Sequence, residues 1–176
     1  MAFDHNTADS LAAAVALVNS AQEPDTMVTT DQLAAFFAAH RYTGRHDGDA
    51  AELDSVRALR APLRELLTAD RDTAVDVVNG MLAAHATRLR LLRHDGWDYH
   101  LHAGDPDAPL AERITVETAM AMVDVIRADE LSRLSECADE TCGGLVLDLS
   151  RNRSRRYCSA ACGNRIAVAA YRARKG

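Results

Sequence analysis

All four cysteines of the chain, Cys137, Cys142, Cys158 and Cys162, fall in its last forty residues, spaced C-x4-C, fifteen residues, then C-x3-C. Two close pairs joined by a segment long enough for a hairpin is metal-ligand spacing. Zinc favours a closed tetrahedron of four thiolates in structural sites, and each pair supplies two corners. Two disulfides, or four unrelated buried thiols, are the alternatives. Disulfides require an oxidising compartment, and unrelated thiols have no reason to cluster. Four protein ligands leave no position for a catalytic water, so the expected ion is structural Zn²⁺.

The residues around the cysteines suit that geometry. Gly143-Gly144 can form the tight turn of a knuckle after Cys142, and Leu145-Val146-Leu147 has the β-propensity of a strand. Arg151 to Ser154 reads as a turn, with Arg155 and Arg156 on a second strand of the hairpin. Ser159 is a helix N-cap, which puts Cys158 just before the last helix and Cys162 in its first turn. The positive end of that helix favours thiolate over thiol. With few large apolar side chains, this segment depends on metal binding for most of its folding free energy.

Charge divides the chain at nearly the same place. Residues 1–150 carry a net charge of −14, whereas residues 151–176 hold eight basic side chains, seven of them Arg, and no acidic one. A basic tail on an acidic body points to a polyanionic partner for the tail. Arg165 and Arg172 are seven apart and share a helix face, leaving Ile166, Ala169 and Ala170 to pack inward.

The first 130 residues read as helical. Asp9-Ser10 precedes the Ala-rich stretch from Leu11, which predicts a helix over residues 10–20. Thr29 and Gln32 have capping-box spacing before Leu33, Phe36 and Phe37. Leu53, Val56, Leu59, Leu63, Leu66 and Leu67 recur at helical spacing, with Pro62 expected to kink or divide the helix. From Asp72 the positions Val78, Met81, Leu82, His85, Leu89 and Leu92 predict another helix ending near His94. Trp97, Tyr99 and Leu101 then alternate with polar residues as a half-exposed strand would, and Gly104 to Pro109 is a loop. Leu110 to about Ala128 is apolar nearly all round, the pattern of a central, heavily covered helix. The domain boundary is expected between Arg127 and Glu136.

Asp148, Ser150, Asn152, Arg155-Arg156, Cys158-Ser159 and the tetrapeptide Cys162-Gly163-Asn164-Arg165 closely resemble the CGNR zinc finger family. Leu17-Val18-Asn19-Ser20, with the Leu-rich helices behind it, resembles the ABATE-type domain that precedes the finger in that family. The chain departs from the family in having Tyr157 where Trp is common, and Ala167, Val168, Ala169 and Ala170 where more basic residues follow the tetrapeptide. The resemblance implies a stress-induced transcription regulator of bacterial type whose finger binds DNA. The expected fold is therefore mainly α: a helical domain of residues 1–132 with a short β element, then a finger of residues 133–176 built from knuckle, β-hairpin and helix.

The nucleic-acid candidates are Arg151, Arg153, Arg155, Arg156, Asn164, Arg165, Arg172, Arg174 and Lys175, because a guanidinium fork pairs well with phosphate and guanine. A single finger with this charge is a weak binder, and a homodimer would double the contacts. The rival reading makes the finger a protein-interaction module that docks on an acidic surface of its own or another chain. Its mark would be Arg155, Arg165 and Arg172 paired with carboxylates of the first 130 residues. A third reading places a small-molecule effector, identity unknown, in a pocket around His85 and Asn19. His100 and His102, with His94 nearby, could ligate a metal, but exposed strand histidines are the simpler reading. No nucleophile motif or phosphate loop stands out, so an enzyme is not expected. The apolar runs are too short to span a membrane, and Asp4 and Asp9 precede Leu11 where a secretory leader would be basic. A cytoplasmic protein is expected.

Overall fold

The computed structural model describes residues 3–85, 89–93 and 100–175. Asp4 begins the first helix by accepting a hydrogen bond from the Thr7 N–H at 2.8 Å, and α1 spans His5–Asn19. The start expected at residue 10 is thus a turn and a half late. Asp4 and Asp9 are equally good capping residues, but the earlier cap adds a turn that buries Thr7 and Ala8. The predicted capping box is present on α2, Thr30–Ala39, where Thr29 and Gln32 each bond the other's backbone N–H. Pro62 divides its helix as anticipated: α3, Ala50–Ala58, gives way at Leu59 to α4, Arg60–Thr68. Pro62 sits in the first turn of α4, where a missing N–H leaves no bond unmade.

Asp70 accepts from the Thr73 N–H at 3.0 Å and opens α5, Arg71–His85. The helix does not continue to Leu92, because Leu89–Leu92 is a strand, β1, paired antiparallel with β2, His100–Ala103. Leu89 and Leu92 fit a helical face by spacing alone. The partner strand supplies the backbone hydrogen bonds that decide the matter, since tertiary pairing overrides a short periodic run. Trp97, Tyr99 and His94 lie outside the described residues, as does the side chain of His100.

α6, Leu110–Arg127, is the central helix foreseen in the sequence. It packs on α1, α3, α5 and β2, and buries Leu110, Ile114, Met122 and Val125. A 3-10 turn, Leu131–Arg133, leads into β3, Leu134–Glu136, which pairs antiparallel with β4, Leu145–Leu147. The chain ends on α7, Ala160–Ala173. The hairpin expected to join β4 to Arg155-Arg156 is instead closed by the segment ahead of Cys137. Asp148 explains the difference: its carboxylate accepts from the N–H groups of Ser150 (2.8 Å) and Arg155 (2.7 Å), curling residues 148–155 into a loop. Arg153, at φ 48°, completes that loop.

Leu134, Leu145 and Leu147 belong to the same apolar core as Leu11, Leu17 and Leu66, so the hairpin is built onto the helical body. Asn19 fastens it there. Its Nδ2 donates to the Leu145 carbonyl at 2.8 Å, and its Oδ1 accepts from the Leu145 N–H at 2.7 Å. The amide thereby acts as a short length of strand against β4. Among the described residues no helix is long and apolar enough to cross a membrane.

Two outcomes follow. Asn19→Ala strands both backbone groups of Leu145 and should cost about 1–3 kcal/mol in denaturant unfolding, whereas Asn19→Asp should retain part of that loss. Asp25, fastened to α4 by Arg60 at 2.8 and 2.9 Å, is held down to about 2, first by that bond and next by the Met27 N–H. A depressed carboxylate stabilises above its unfolded value and loses that contribution as pH falls through its folded one. Acid titration of wild type should therefore show a loss of stability between about pH 4 and 2 that Asp25→Asn lacks.

Candidate metal centre and basic surface

The sulfurs of Cys137, Cys142, Cys158 and Cys162 all lie within 4.8 Å of one another. Cys142 and Cys158 are 3.4 Å apart, Cys142 and Cys162 3.5 Å, and Cys158 and Cys162 3.7 Å. A zinc tetrahedron with bonds of about 2.3 Å has sulfur-sulfur edges near ~3.8 Å. The three edges among Cys142, Cys158 and Cys162 lie close to and slightly under that figure, with Cys137 no more than 4.8 Å from any of them. Such spacing is far too long for a disulfide, whose sulfurs are about 2 Å apart, and all four cysteines are free. The sulfurs are brought together in the way the spacing suggests. Gly143, at φ 62°, turns the knuckle, and a Cβ on Gly144 would stand 3.0 Å from the Cys158 sulfur and 3.2 Å from that of Cys142. Any larger residue at 144 would crowd the ion's ligands. Ser159 caps α7 by accepting from the Cys162 N–H, which places Cys162 in the first turn.

The surroundings suit thiolates. The Cys158 N–H points at the Cys137 sulfur at 3.5 Å, and Arg165 Nη2 donates to the Cys162 sulfur at 3.4 Å. The buried amide nitrogen of Gln22 has no partner among the described residues, while its oxygen stands 3.8 Å from the Cys142 sulfur. Half a turn of that amide presents N–H to sulfur, the arrangement a thiolate favours. Burial pushes Cys142 and Cys158 up, whereas the Ser159 hydroxyl, with help from Cys142, holds Cys162 down to about 7. A divalent cation overcomes the resistance of the first two, since a metal-bound thiol is deprotonated outright. Cys137, Cys142, Cys158 and Cys162 are the residues that hold structural Zn²⁺.

The basic residues divide into two groups. Arg165 is not a free donor: its Nε bonds the buried Asp139 carboxylate at 2.7 Å, and Nη2 reaches the same oxygen. Asp139 in turn accepts from the Thr141 N–H and hydroxyl, so this pair braces the loop between the first two ligands. Arg153 pairs with Glu130 at 2.8 Å, and Arg155 donates to the carbonyls of Leu147, Tyr157 and Cys158. Among the described residues the side chains of Arg151, Arg156, Arg172 and Arg174 have no carboxylate or hydrogen-bond partner, and Lys175 lies 4.9 Å from the Tyr171 ring. Asn164 is exposed on α7. Ala169 and Ala170, expected to pack inward, are exposed as well, as are Ala167 and Val168 beside them.

Sequence reasoning gave no sign of Arg133, which ties the finger's entrance to its loop. Its guanidinium bonds Glu130 at 2.8 Å and the carbonyls of Asp148 and Ser150. Its burial, among carbonyls distant in sequence, left no mark in local pattern. The pocket expected around His85 and Asn19 is not one site. Asn19 is committed to β4, whereas His85, with its side chain about one-third exposed and 3.8 Å from Glu112, lines a separate space beside Gly104 and Val116.

Removal of the ion should unfold only part of the molecule. With a strong chelator, hydrogen exchange should lose protection across residues 137–144 and 155–173 while α1, α6 and the core leucines keep theirs, because the latter rest on apolar packing. Uniform loss across the chain would contradict this division.

Residues 11–129 match the family described as "Putative stress-induced transcription regulator", ABATE, and residues 133–175 match the CGNR zinc finger. No curated protein matches the chain. Since the first match spans most of the sequence and the second covers the cysteine module just described, the chain belongs to the ABATE family and carries a CGNR zinc finger at its C-terminal end.

Proposed function

We propose that the protein is a DNA-binding transcription regulator of the cytoplasm, acting by binding rather than by catalysis. The observation that carries this reading is the set of five cations, Arg151, Arg156, Arg172, Arg174 and Lys175, without carboxylate partners among the described residues and set on a zinc-held frame. The other three basic residues of the tail serve the frame itself. α7 projects from the body with Asn164, Arg172 and Arg174 exposed, and the loop at Arg151 and Arg156 supplies a second basic patch. Phosphates are the polyanion such a pair of patches suits, and a homodimer would present the set twice.

One form of the rival, in which the finger docks on its own acidic body rather than on that of a partner, requires Arg155, Arg165 and Arg172 to be paired with carboxylates of the first 130 residues. Among the described residues none of the three is. Arg153, which does pair with Glu130, is one of eight basic side chains, and its pairing leaves the rest of the module's charge in place.

A labelled duplex titrated with zinc-loaded protein at several salt concentrations tests the reading. Five phosphate contacts predict a log-log salt slope of about −4 to −5 for the monomer. Arg172→Ala should reduce the slope by about 1 without loss of zinc. No binding at low salt by the zinc-loaded protein would reject DNA as the partner.

A further inference from the structure

Beneath the β1–β2 ribbon lies a cavity of about 310 Å³ that the finger does not touch. Its walls come from three parts of the body: Arg90 and His102 from the ribbon, Arg113 and Glu117 from α6, and the loop at Asp105. Arg90 and His102 are cross-strand neighbours, so both side chains stand on one face of the ribbon. The opposite face turns Leu89, Leu91 and Leu101 to solvent. Leu92 joins Arg90 and His102 over the cavity, yet with three leucines outward and two polar side chains inward the ribbon departs from the usual preference. Something other than burial of apolar surface fixes its orientation.

The α6 wall is rigid. Arg113 is buried, and its guanidinium donates to the carbonyls of Thr43, Arg45 and Ala108. Gly44 permits this, because a Cβ there would lie 2.5 Å from the Pro106 carbonyl oxygen. Pinned by three carbonyls, the guanidinium keeps its charge and has N–H groups to spare. One turn along, the Glu117 carboxyl has no hydrogen bond or ion pair among the described residues. Burial pushes its carboxyl up to about 7 against the opposing pull of Arg113. Tyr42 is pushed up first by its own burial and next by the nearby Glu117. The groups around this carboxyl are thus Arg90 and His102 on the ribbon, Arg113 on its own helix, Tyr42 ahead of the Gly44 loop, and Asp105, whose Oδ1 is taken by the Asp107 N–H.

We propose that this cavity binds a small organic acid, its carboxylate held by Arg90 and His102 beside Arg113 and Glu117. A protonated Glu117 donates to the ligand's carboxylate, and an ionised one repels it. Binding therefore weakens as pH rises through neutrality. A space of this size accommodates a small ring or short chain bearing a single acid group. Nothing in the proposal depends on what the finger binds.

Calorimetric titration of the full zinc-loaded chain with benzoate, benzyl alcohol and benzylamine tests it. Benzoate should bind at least about tenfold more tightly than either other probe at pH 6, and more weakly at pH 8. Arg90→Ala, on an exposed strand position, should lose about tenfold for benzoate while leaving the thermal midpoint unchanged. Glu117→Gln, which mimics the protonated acid, should tighten benzoate binding at pH 8. Preference for benzylamine, equal binding of acid and alcohol, no binding of benzoate, or a Glu117→Gln variant that folds yet fails to tighten at pH 8 would each overturn the assignment.

Discussion

The sharing of one divalent ion by four thiolates underlies the C-terminal quarter of this molecule. The region around the ligands has almost no core of its own: the apolar cluster there consists of Cys137, Val146 and Cys162, with Cys142, Tyr157 and Cys158 at its edge. Such a cluster cannot offset the entropy of ordering some forty residues, and the free energy of metal binding supplies the difference. The fixed elements then follow. The knuckle brings Cys142 toward Cys158, and the Ser159 cap sets α7 at a definite angle to it. Asp139 holds Arg165 against the sulfur of Cys162, where a guanidinium offsets part of the −2 charge that four thiolates and Zn²⁺ leave behind.

The finger is not a bead on a string. One edge of it, β3 and β4, is apolar enough to join the helical core through Leu134, Leu145 and Leu147, and the Asn19 amide completes the strand edge. Arg64 of α4 donates to the Gly143 carbonyl, so a second helix of the body touches the knuckle itself. The metal half and the apolar half meet at β4, where Val146 faces the cysteines and its two neighbours face the body. Alternation along three residues of strand thus joins two modules whose stabilities have different origins. A change in the body that moved α1 or α4 would be felt at the zinc knuckle without passing through a flexible linker.

Much of this was legible wherever a residue acts on its near neighbours. Thr29 and Gln32 cap their own helix, Pro62 interrupts its own, and Ser159 lies three residues from the N–H it receives, so spacing alone reveals them. The cysteine pairs belong with these, because metal geometry restricts each pair to a few residues. What spacing concealed was decided at long range. Leu89 and Leu92 look helical until β2 pairs with them. Arg165 looks like a phosphate donor until Asp139, twenty-six residues back, takes it, and Asn19 looks like a helix end until β4 arrives 126 residues later. Arginine is especially deceptive in this respect. Its charge suggests solvent and phosphate, yet Arg113 and Arg133 are buried scaffolding that gathers carbonyls from separated loops.

The central claim concerns the ion, and zinc K-edge X-ray absorption on the purified chain addresses it most directly. The account predicts one zinc per chain surrounded by four sulfur atoms at about 2.3 Å with no nitrogen or oxygen neighbour. A first shell containing nitrogen or oxygen, or fewer than four sulfurs, would contradict it.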